Sequence, residues 1–190
     1  MSEAEPPDGR RHQFELLFAA HHDLLLAYLL RRTTSTDDAA DVLAETFLTA
    51  WRRLDQVPAG DAARPWLYGV ARRVLANHRR GESRRAALTV KLRGELAATA
   101  LDRVSLPAES ANSPAGQAFQ QLSERDRELL ALTAWEGLTP AEIAVVLGCS
   151  RNAVRVRLHR ARSRFTRLLD RLAEPRDVTS ALPLKENHHG

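Results

Sequence analysis

Residues 139–162, TPAEIAVVLGCSRNAVRVRLHRAR, contain the clearest local structure signals in the chain. Thr139 is a favourable helix N-cap, Pro140 suits the first helical position, and Glu142 completes a capping box. Gly148 can adopt the left-handed conformation that commonly ends a helix. The sequence therefore predicts a short helix that begins at Pro140 and stops at a tight turn.

A longer and strongly basic helix follows that turn. Ser150 can cap it, and Val154 and Leu158 begin an apolar face that carries it from Arg151 to about Leu172. A short helix, a glycine-containing turn and a longer basic helix predict a helix-turn-helix, whose second helix enters the major groove of DNA.

The outer face of this second helix is the predicted DNA contact. Arginine can donate two hydrogen bonds to guanine in the major groove, and the N-terminal half of a recognition helix reaches base edges. The residues that recur on this face at steps of three and four are Arg151, Asn152, Arg155, Val156, His159 and Arg160. Further along the helix, Arg162, Arg164 and Arg167 are better placed for phosphates.

The first half of the chain predicts three amphipathic helices, over about residues 13–32, 37–55 and 62–80. Asp38 and Asp41 lie in the first turns of the second helix, where the helix dipole favours negative charge. Since no run of alternating β-branched residues occurs, the expected fold class is all-α, with two small helical domains joined by a flexible linker.

Glycine, proline and serine mark the boundaries of these domains. The predicted segments are a disordered N-terminus at 1–12, a first domain at 13–81, a linker at 82–115, a second domain at 116–174 and a disordered tail at 175–190.

The composition is that of a globular protein, with 44% hydrophobic and 27% charged residues in a chain of 190. No stretch approaches the roughly 18 apolar residues of a membrane span, and the acidic, proline-bearing N-terminus does not resemble a signal peptide. The single cysteine, Cys149, excludes an internal disulfide. We therefore expect a cytoplasmic protein without membrane insertion.

Positive charge is concentrated in two separate blocks. Residues 64–93 contain nine basic residues and one acidic residue, and residues 151–174 contain eight arginines and two acidic residues. An acidic stretch precedes each block. This distribution indicates two surfaces that face polyanions, one in each domain.

Four motifs carry a family resemblance: DAADVLAETFLTAWR at 38–52, PWLYGVAR at 65–72, LSERDR at 122–127 and AVRVRLHRAR at 153–162. In this order they resemble the extracytoplasmic-function (ECF, group 4) sigma factors of bacterial RNA polymerase, within the sigma-70 family. The first domain is then similar to sigma region 2 and the second to the helix-turn-helix of region 4.

The resemblance implies a sigma factor that binds core RNA polymerase and promoter DNA, recognises the −10 and −35 elements and aids strand opening. The implied −35 contacts are Arg151, Asn152, Arg155, Val156, Arg157, His159, Arg160 and Arg162. The implied −10 contacts are Arg64, Arg72, Arg73, Asn77, Arg79 and Arg80, with residues 57–64 at the edge of a pocket for a melted base. The implied polymerase contacts are Asp38, Asp41, Glu45, Leu48 and Arg52. A cognate anti-sigma factor is also expected.

Several residues have a plainer interpretation beside the functional one. The acids of the second helix could serve only as caps. Leu48 and Trp51, with Phe47, are mostly core residues by their spacing. Trp66 could stack on a base but is expected in the core. Tyr68 likewise could stack on a base but is expected in the core.

Two other classes of function stay open at this point. A stand-alone helix-turn-helix transcriptional regulator with a helical N-terminal dimerisation or sensing domain explains the second domain but not the acidic helix before a basic one. The other alternative is a helical interaction module that binds acidic proteins rather than DNA. We expect no enzymatic activity, no cofactor and no metal site. His21 and His22 lack a second cluster with ligand spacing, and Cys149 is expected to be inert rather than a redox sensor.

Overall fold

The computed structural model describes residues 7–91, residue 104 and residues 108–173, and every regular element in those ranges is helical. This confirms the all-α fold class. The α-helices are α1 (Pro7–Leu30), α2 (Thr36–Arg52), α3 (Ala63–Lys91), α4 (Ala108–Ala111), α5 (Pro114–Gln120), α6 (Glu124–Ala134), α7 (Pro140–Leu147) and α8 (Arg151–Ala173). None of these helices is long and apolar enough to cross a membrane.

The predicted start and stop signals of the helix-turn-helix are confirmed. The backbone N–H of Glu142 donates to Thr139 Oγ1, and the Glu142 carboxylate accepts from the Thr139 N–H at 2.7 Å, so the capping box is complete. Gly148 ends α7 with a φ of +63°. Ser150 caps α8 by accepting from the N–H of Ala153 at 3.2 Å.

Helices α1, α2 and α3 form the first domain, and two of them are longer than predicted. Helix α1 begins at Pro7, so residues 7–12 are helical rather than disordered. A proline at the first helical position has no N–H to leave unsatisfied, which makes Pro7 a natural start. Helix α3 continues past Gly81 to Lys91 and takes ten residues from the predicted linker, since one glycine in a helix costs only about 1 kcal/mol.

Helices α4 to α8 form the second domain. The short helices α4 and α5 begin within the predicted linker, and Ser113 caps α5 by accepting from the N–H of Gly116. A small core of buried side chains holds α5 and α6 together, with Phe165 and Leu168 of α8 packed against it.

The two domains share one hydrophobic core, which the sequence did not indicate. Buried side chains of α1, α2 and α3 are continuous with those of α6, α7 and α8. Helix α3 packs on α7 at Gly69, where an added Cβ would lie 3.7 Å from the Cα of Val146. We call this packing of α3 on α7 the closed arrangement.

Candidate nucleic-acid interface

Helix α8 presents its basic face to solvent. Val154, Leu158 and Ala161 are buried on the inner face, as their spacing predicted. All eight residues of the predicted −35 set are exposed: Arg151, Asn152, Arg155, Val156, Arg157, His159, Arg160 and Arg162. The face is therefore free to enter a major groove.

Arg164, which was predicted to contact phosphates, is paired with another residue of the second domain. Its Nη1 lies 2.8 Å and 3.1 Å from the two carboxylate oxygens of the buried Asp126. This ion pair, in which one guanidinium nitrogen faces both oxygens, fastens α8 to the start of α6. Arg167, one turn further on, is exposed.

The predicted −10 residues of α3 divide into two groups. Arg73, Asn77 and Arg80 are exposed, and the Arg80 guanidinium donates to the Asn77 side chain. Arg64, Arg72 and Arg79 are only half-exposed. The structure therefore does not bring the six residues together on one accessible surface.

The half-exposed arginines at the two ends of this set are engaged by backbone carbonyls. The Arg64 guanidinium donates to the carbonyl of Glu136 in the second domain, and that of Arg79 donates to the carbonyl of Arg32. The residues before Arg64 form two short 3-10 turns, Leu54–Gln56 and Gly60–Ala62.

Tyr68 confirms the core interpretation, since its side chain is 1% exposed. Its ring meets that of Tyr28 edge to face, with centroids 5.1 Å apart. Burial raises the pKa of the Tyr68 phenol above its usual value, as does the charge of Glu136. Trp66 is half-buried against the same core.

A groove of about 520 Å³ separates α2 from α3. Asp41 and Glu45 line the α2 side, and Arg73 and Asn77 line the α3 side. The groove thus places predicted polymerase contacts directly beside predicted −10 contacts.

The acids of α2 have different environments. Asp38 accepts from the Ser35 hydroxyl at 2.7 Å and from Thr34, and the hydrogen bond with Ser35 is the main reason that the pKa of Asp38 is lowered. Asp41 and Glu45 are exposed, and Glu45 lies 3.8 Å from Arg52. Asp38 therefore supports the capping of α2 by Ser35, in line with the plainer interpretation, while Asp41 and Glu45 are open to a partner.

An apolar ridge borders this acidic face. Phe47 is buried, but Leu48 and Trp51 are 40% and 36% exposed, so the prediction that these two are mostly core is wrong. Phe14 and Phe18 of α1 complete the ridge, with the Phe14 and Trp51 rings 5.2 Å apart. The four-residue spacing of these two aromatic residues was the signal in the sequence that could have indicated the ridge.

His78 connects the middle of α3 to the start of α2, a contact that sequence reasoning missed. Its Nε2 lies 3.7 Å from Asp38 and its Nδ1 lies 3.6 Å from Glu82. All three donor groups lie within 4.8 Å of one another. Because the carboxylates approach opposite nitrogens of the ring, they bracket the imidazole rather than converge on one point.

A buried group of charges joins the two domains. Arg32 Nε lies 3.0 Å from Glu128, Arg32 Nη1 lies 3.2 Å from Glu136, and Arg31 Nη2 lies 2.7 Å from Glu136. The side chains of Arg32, Glu128 and Glu136 are at most 6% exposed. We call Arg31, Arg32, Glu128 and Glu136 the interdomain ion cluster.

Tyr28 completes the surroundings of Arg32. The guanidinium carbon lies 3.7 Å from the centre of the Tyr28 ring, and the Tyr28 hydroxyl faces Glu128. Burial disfavours the charged form of Arg32, but Tyr28, Glu128 and Glu136 outweigh it and raise the pKa of the guanidinium. The arginine is therefore a permanent cation held by two carboxylates.

Residues predicted for different promoter elements line a common cavity at the domain boundary. This cavity of about 530 Å³ has Arg72 of α3 on its wall together with Arg157 and Arg160 of α8. In the closed arrangement, the two proposed DNA surfaces therefore meet.

Comparison with known proteins gives matches in both domains. A family model described as Sigma-70 region 2 matches residues 17–85, and one described as Sigma-70, region 4 matches residues 115–165. The ECF RNA polymerase sigma factor SigL of Mycobacterium tuberculosis is 31% identical over 156 residues, which are 76% of this chain and 82% of SigL.

Two solved structures share the helical fold. CnrH in complex with the cytosolic domain of CnrY is 28% identical, with a TM-score of 0.53 over 86% of this chain and 92% of that one. The sigma factor RpoE of Bartonella quintana, in complex with the anti-sigma factor NepR, is 24% identical, with a TM-score of 0.53 over 84% of this chain and 96% of that one. At 24% identity the second likeness is one of fold alone.

Proposed function

Because the chain belongs to the ECF sigma factors of the sigma-70 family and so directs promoter-specific transcription by RNA polymerase, we propose which of its surfaces carry out each step. The observation that supports the assignment best is the exposure of the whole outer face of α8, opposite a buried inner face.

The second domain recognises the −35 element through α8. On the exposed face, His159 and its neighbour Arg160 lie about one turn after Arg155, within reach of consecutive base edges. Arg151 and Asn152 lie at the helix N-terminus, and Arg162 lies nearer the backbone phosphates. Val156 offers an apolar contact for a thymine methyl group.

The first domain holds the melted −10 strand along α3. Arg73, Asn77 and Arg80 already form an exposed row, and residues 57–64 border it with the two 3-10 turns. Arg64 and Arg72 join the row when the second domain moves away from them, while Arg79 stays bonded to the carbonyl of Arg32 within the first domain. Arginines along a strand offset part of the cost of unstacking its bases.

Core polymerase docks on α2. Asp41 and Glu45 supply negative charge, Arg52 lies near Glu45, and Leu48 adds apolar area beside Trp51. Charged groups around an apolar centre are typical of protein interfaces. The role is non-catalytic, and its place is the bacterial cytoplasm, where polymerase and promoters meet.

We also propose a protein partner of the anti-sigma class. CnrH, at 28% identity, is solved with a protein domain bound to it. Copurification from the native host, followed by transcription with and without the copurifying protein, tests this proposal, and full activity in the presence of every stable partner contradicts it.

Run-off transcription on a promoter library with core polymerase tests the proposed function. We expect transcripts only when the chain is added, from promoters that share −10 and −35 sequences. Sequence-specific binding to duplex DNA without any polymerase dependence would instead identify a stand-alone helix-turn-helix regulator.

A further inference from the structure

The interdomain ion cluster brings four charged residues of the two domains together in one small volume, and three of them, Arg32, Glu128 and Glu136, are buried. Taking an ion pair out of water costs several kcal/mol per ion unless geometry and further hydrogen bonds compensate. Here Arg32 is compensated through Nε and Nη1, which meet both carboxylates, and Nη1 also donates to the carbonyl of Tyr28 at 3.0 Å. Such a cluster specifies one packing of the two domains.

The cluster depends on the closed arrangement, because each ion pair crosses the domain boundary. Glu128 and Glu136 belong to the second domain, and Arg31 and Arg32 follow α1 in the first. Beside these three ion pairs, Arg64 adds a further contact across the boundary by donating to the carbonyl of Glu136. When the domains separate, all of these contacts are lost at once.

The closed arrangement cannot occupy both promoter elements at once. Elements centred near −35 and −10 are roughly 25 base pairs apart, or about 85 Å along the duplex at 3.4 Å per base pair. In the structure α3 packs on α7 and α7 packs on α8, and packed helices lie about 8–10 Å apart. Helices α3 and α8 are therefore about 20 Å apart, which is far too close for them to reach both promoter elements.

We propose that Glu128 and Glu136 form an intramolecular docking site for Arg31, Arg32 and Arg64, and that this site holds the free sigma factor in a closed, inactive arrangement. The inference rests on the proposed assignment of α3 and α8 to the two promoter elements. Polymerase must open the site before both elements can be bound. Because only open molecules are competent, the apparent affinity of the sigma factor for polymerase scales with the fraction of open molecules.

The closed arrangement also conceals part of the DNA surface. Arg64 is held by Glu136, and Arg72 shares a cavity with Arg157 and Arg160. Opening therefore releases arginines of the −10 set at the same time as it frees the second domain to move.

The test uses the full chain and two independent ways of opening it. One variant, Glu128→Gln with Glu136→Gln, removes the carboxylates that hold the arginines. The other, Gly69→Leu, places a side chain against the backbone of Val146, whereas Gly69→Ala fits there at ordinary contact distance and is its control. Glu124→Gln with Asp170→Asn is the control for charge, since it removes two acids of the same domain outside the cluster.

Double electron–electron resonance measures the distance between the domains. The spin labels are attached at Gln56→Cys and Thr166→Cys, both exposed positions, in a Cys149→Ser background. We expect one short distance in the parent and the controls. Both opening variants should show a long-distance population, with the ratio of open to closed molecules raised about tenfold or more. Far-UV circular dichroism establishes that every variant keeps its helical content.

Affinity for core polymerase is measured on the same proteins. We expect the opening variants to bind about tenfold more tightly than the parent. Unchanged distances in both opening variants overturn the proposal, and so does an opened chain whose polymerase affinity equals that of the parent. If neither parent nor variant binds polymerase while the distances lengthen, closure is supported and the proposed function fails.

Discussion

Arg160 and Arg164 lie one turn apart on α8 but should behave differently. Arg160 is exposed, and Arg164 is paired with Asp126. Arg160→Ala should weaken promoter binding by about 1–3 kcal/mol at one base position, because a bidentate contact to a base is lost. Transcription from promoters that carry each −35 substitution measures this. An equal loss on every sequence would make Arg160 a phosphate contact instead.

Arg164→Ala is the comparison at the same scale. It should lower the stability of the second domain by about 1–3 kcal/mol, since Asp126 would be left buried without its charged partner. Urea unfolding measures this loss, and unchanged stability would show that the pair does not hold α8 to α6.

Periodicity could predict which side of α8 faces outward, and the structure confirms it. It could not predict the partners of Arg64, Arg32 or Arg164. Asp126 is 38 positions from Arg164, and Glu128 is 96 positions from Arg32. No local pattern marks such pairs, because they exist only after the helices have packed.

Helix α2 is the element that should decide polymerase binding. Reversing Asp41 and Glu45 to Arg should reduce core polymerase binding at least tenfold, since two exposed acids become repulsive toward a basic partner. The isolated variant should keep its helicity because neither side chain is buried. Normal polymerase pull-down by a normally folded variant would contradict this role for α2.

Asp38→Asn serves as the contrast for this experiment. Asp38 is engaged by Ser35 and Thr34 and lies near His78. Its substitution should lower thermal stability through the helix cap, by about 0.5–2 kcal/mol, with much less effect on polymerase binding.

The capping box of α7 should make the second domain sensitive to acid. Hydrogen bonds from the Thr139 side chain and backbone lower the pKa of Glu142 below its ordinary 4.5. A lowered pKa contributes stability that is present above the unfolded-state value and is lost as the pH falls through the folded-state value. Glu142→Gln should therefore flatten the decline in stability below about pH 5, measured by urea unfolding from pH 7 to pH 3.5.

Glu124→Gln is the control, because it removes a first-turn glutamate of α6 outside any capping box. Equal flattening by both variants would mean that the reciprocal bond with Thr139 is not the source of the acid sensitivity.

The ends of elements show where local signals fail. The start of α7 was predictable because Thr139, Pro140 and Glu142 act within four residues. The start of α1 at Pro7 and the continuation of α3 through Gly81 were not, because proline and glycine also mark loops.

At the scale of the whole molecule, the order of motifs predicted two domains but not their packing on each other. The hydrophobic face of α7 can be recognised from its spacing, yet nothing local says that α3 will cover it. Gly69 allows that contact by letting α3 approach the backbone of Val146. We propose that the molecule has two states: the closed arrangement in the free chain and a separated arrangement on the promoter.

Helices α8 and α3 of one chain should bind promoter elements that lie far apart on the DNA. A cleaving iron chelate tethered to Cys149, in the turn before α8, should cut promoter DNA of the polymerase complex near −35. The same reagent at Ala59→Cys, in the loop before α3 and in a Cys149→Ser background, should cut near −10, roughly 25 base pairs away. Cuts at one common position, or cuts whose order is reversed, would contradict the assignment of α8 to the −35 element and α3 to the −10 element.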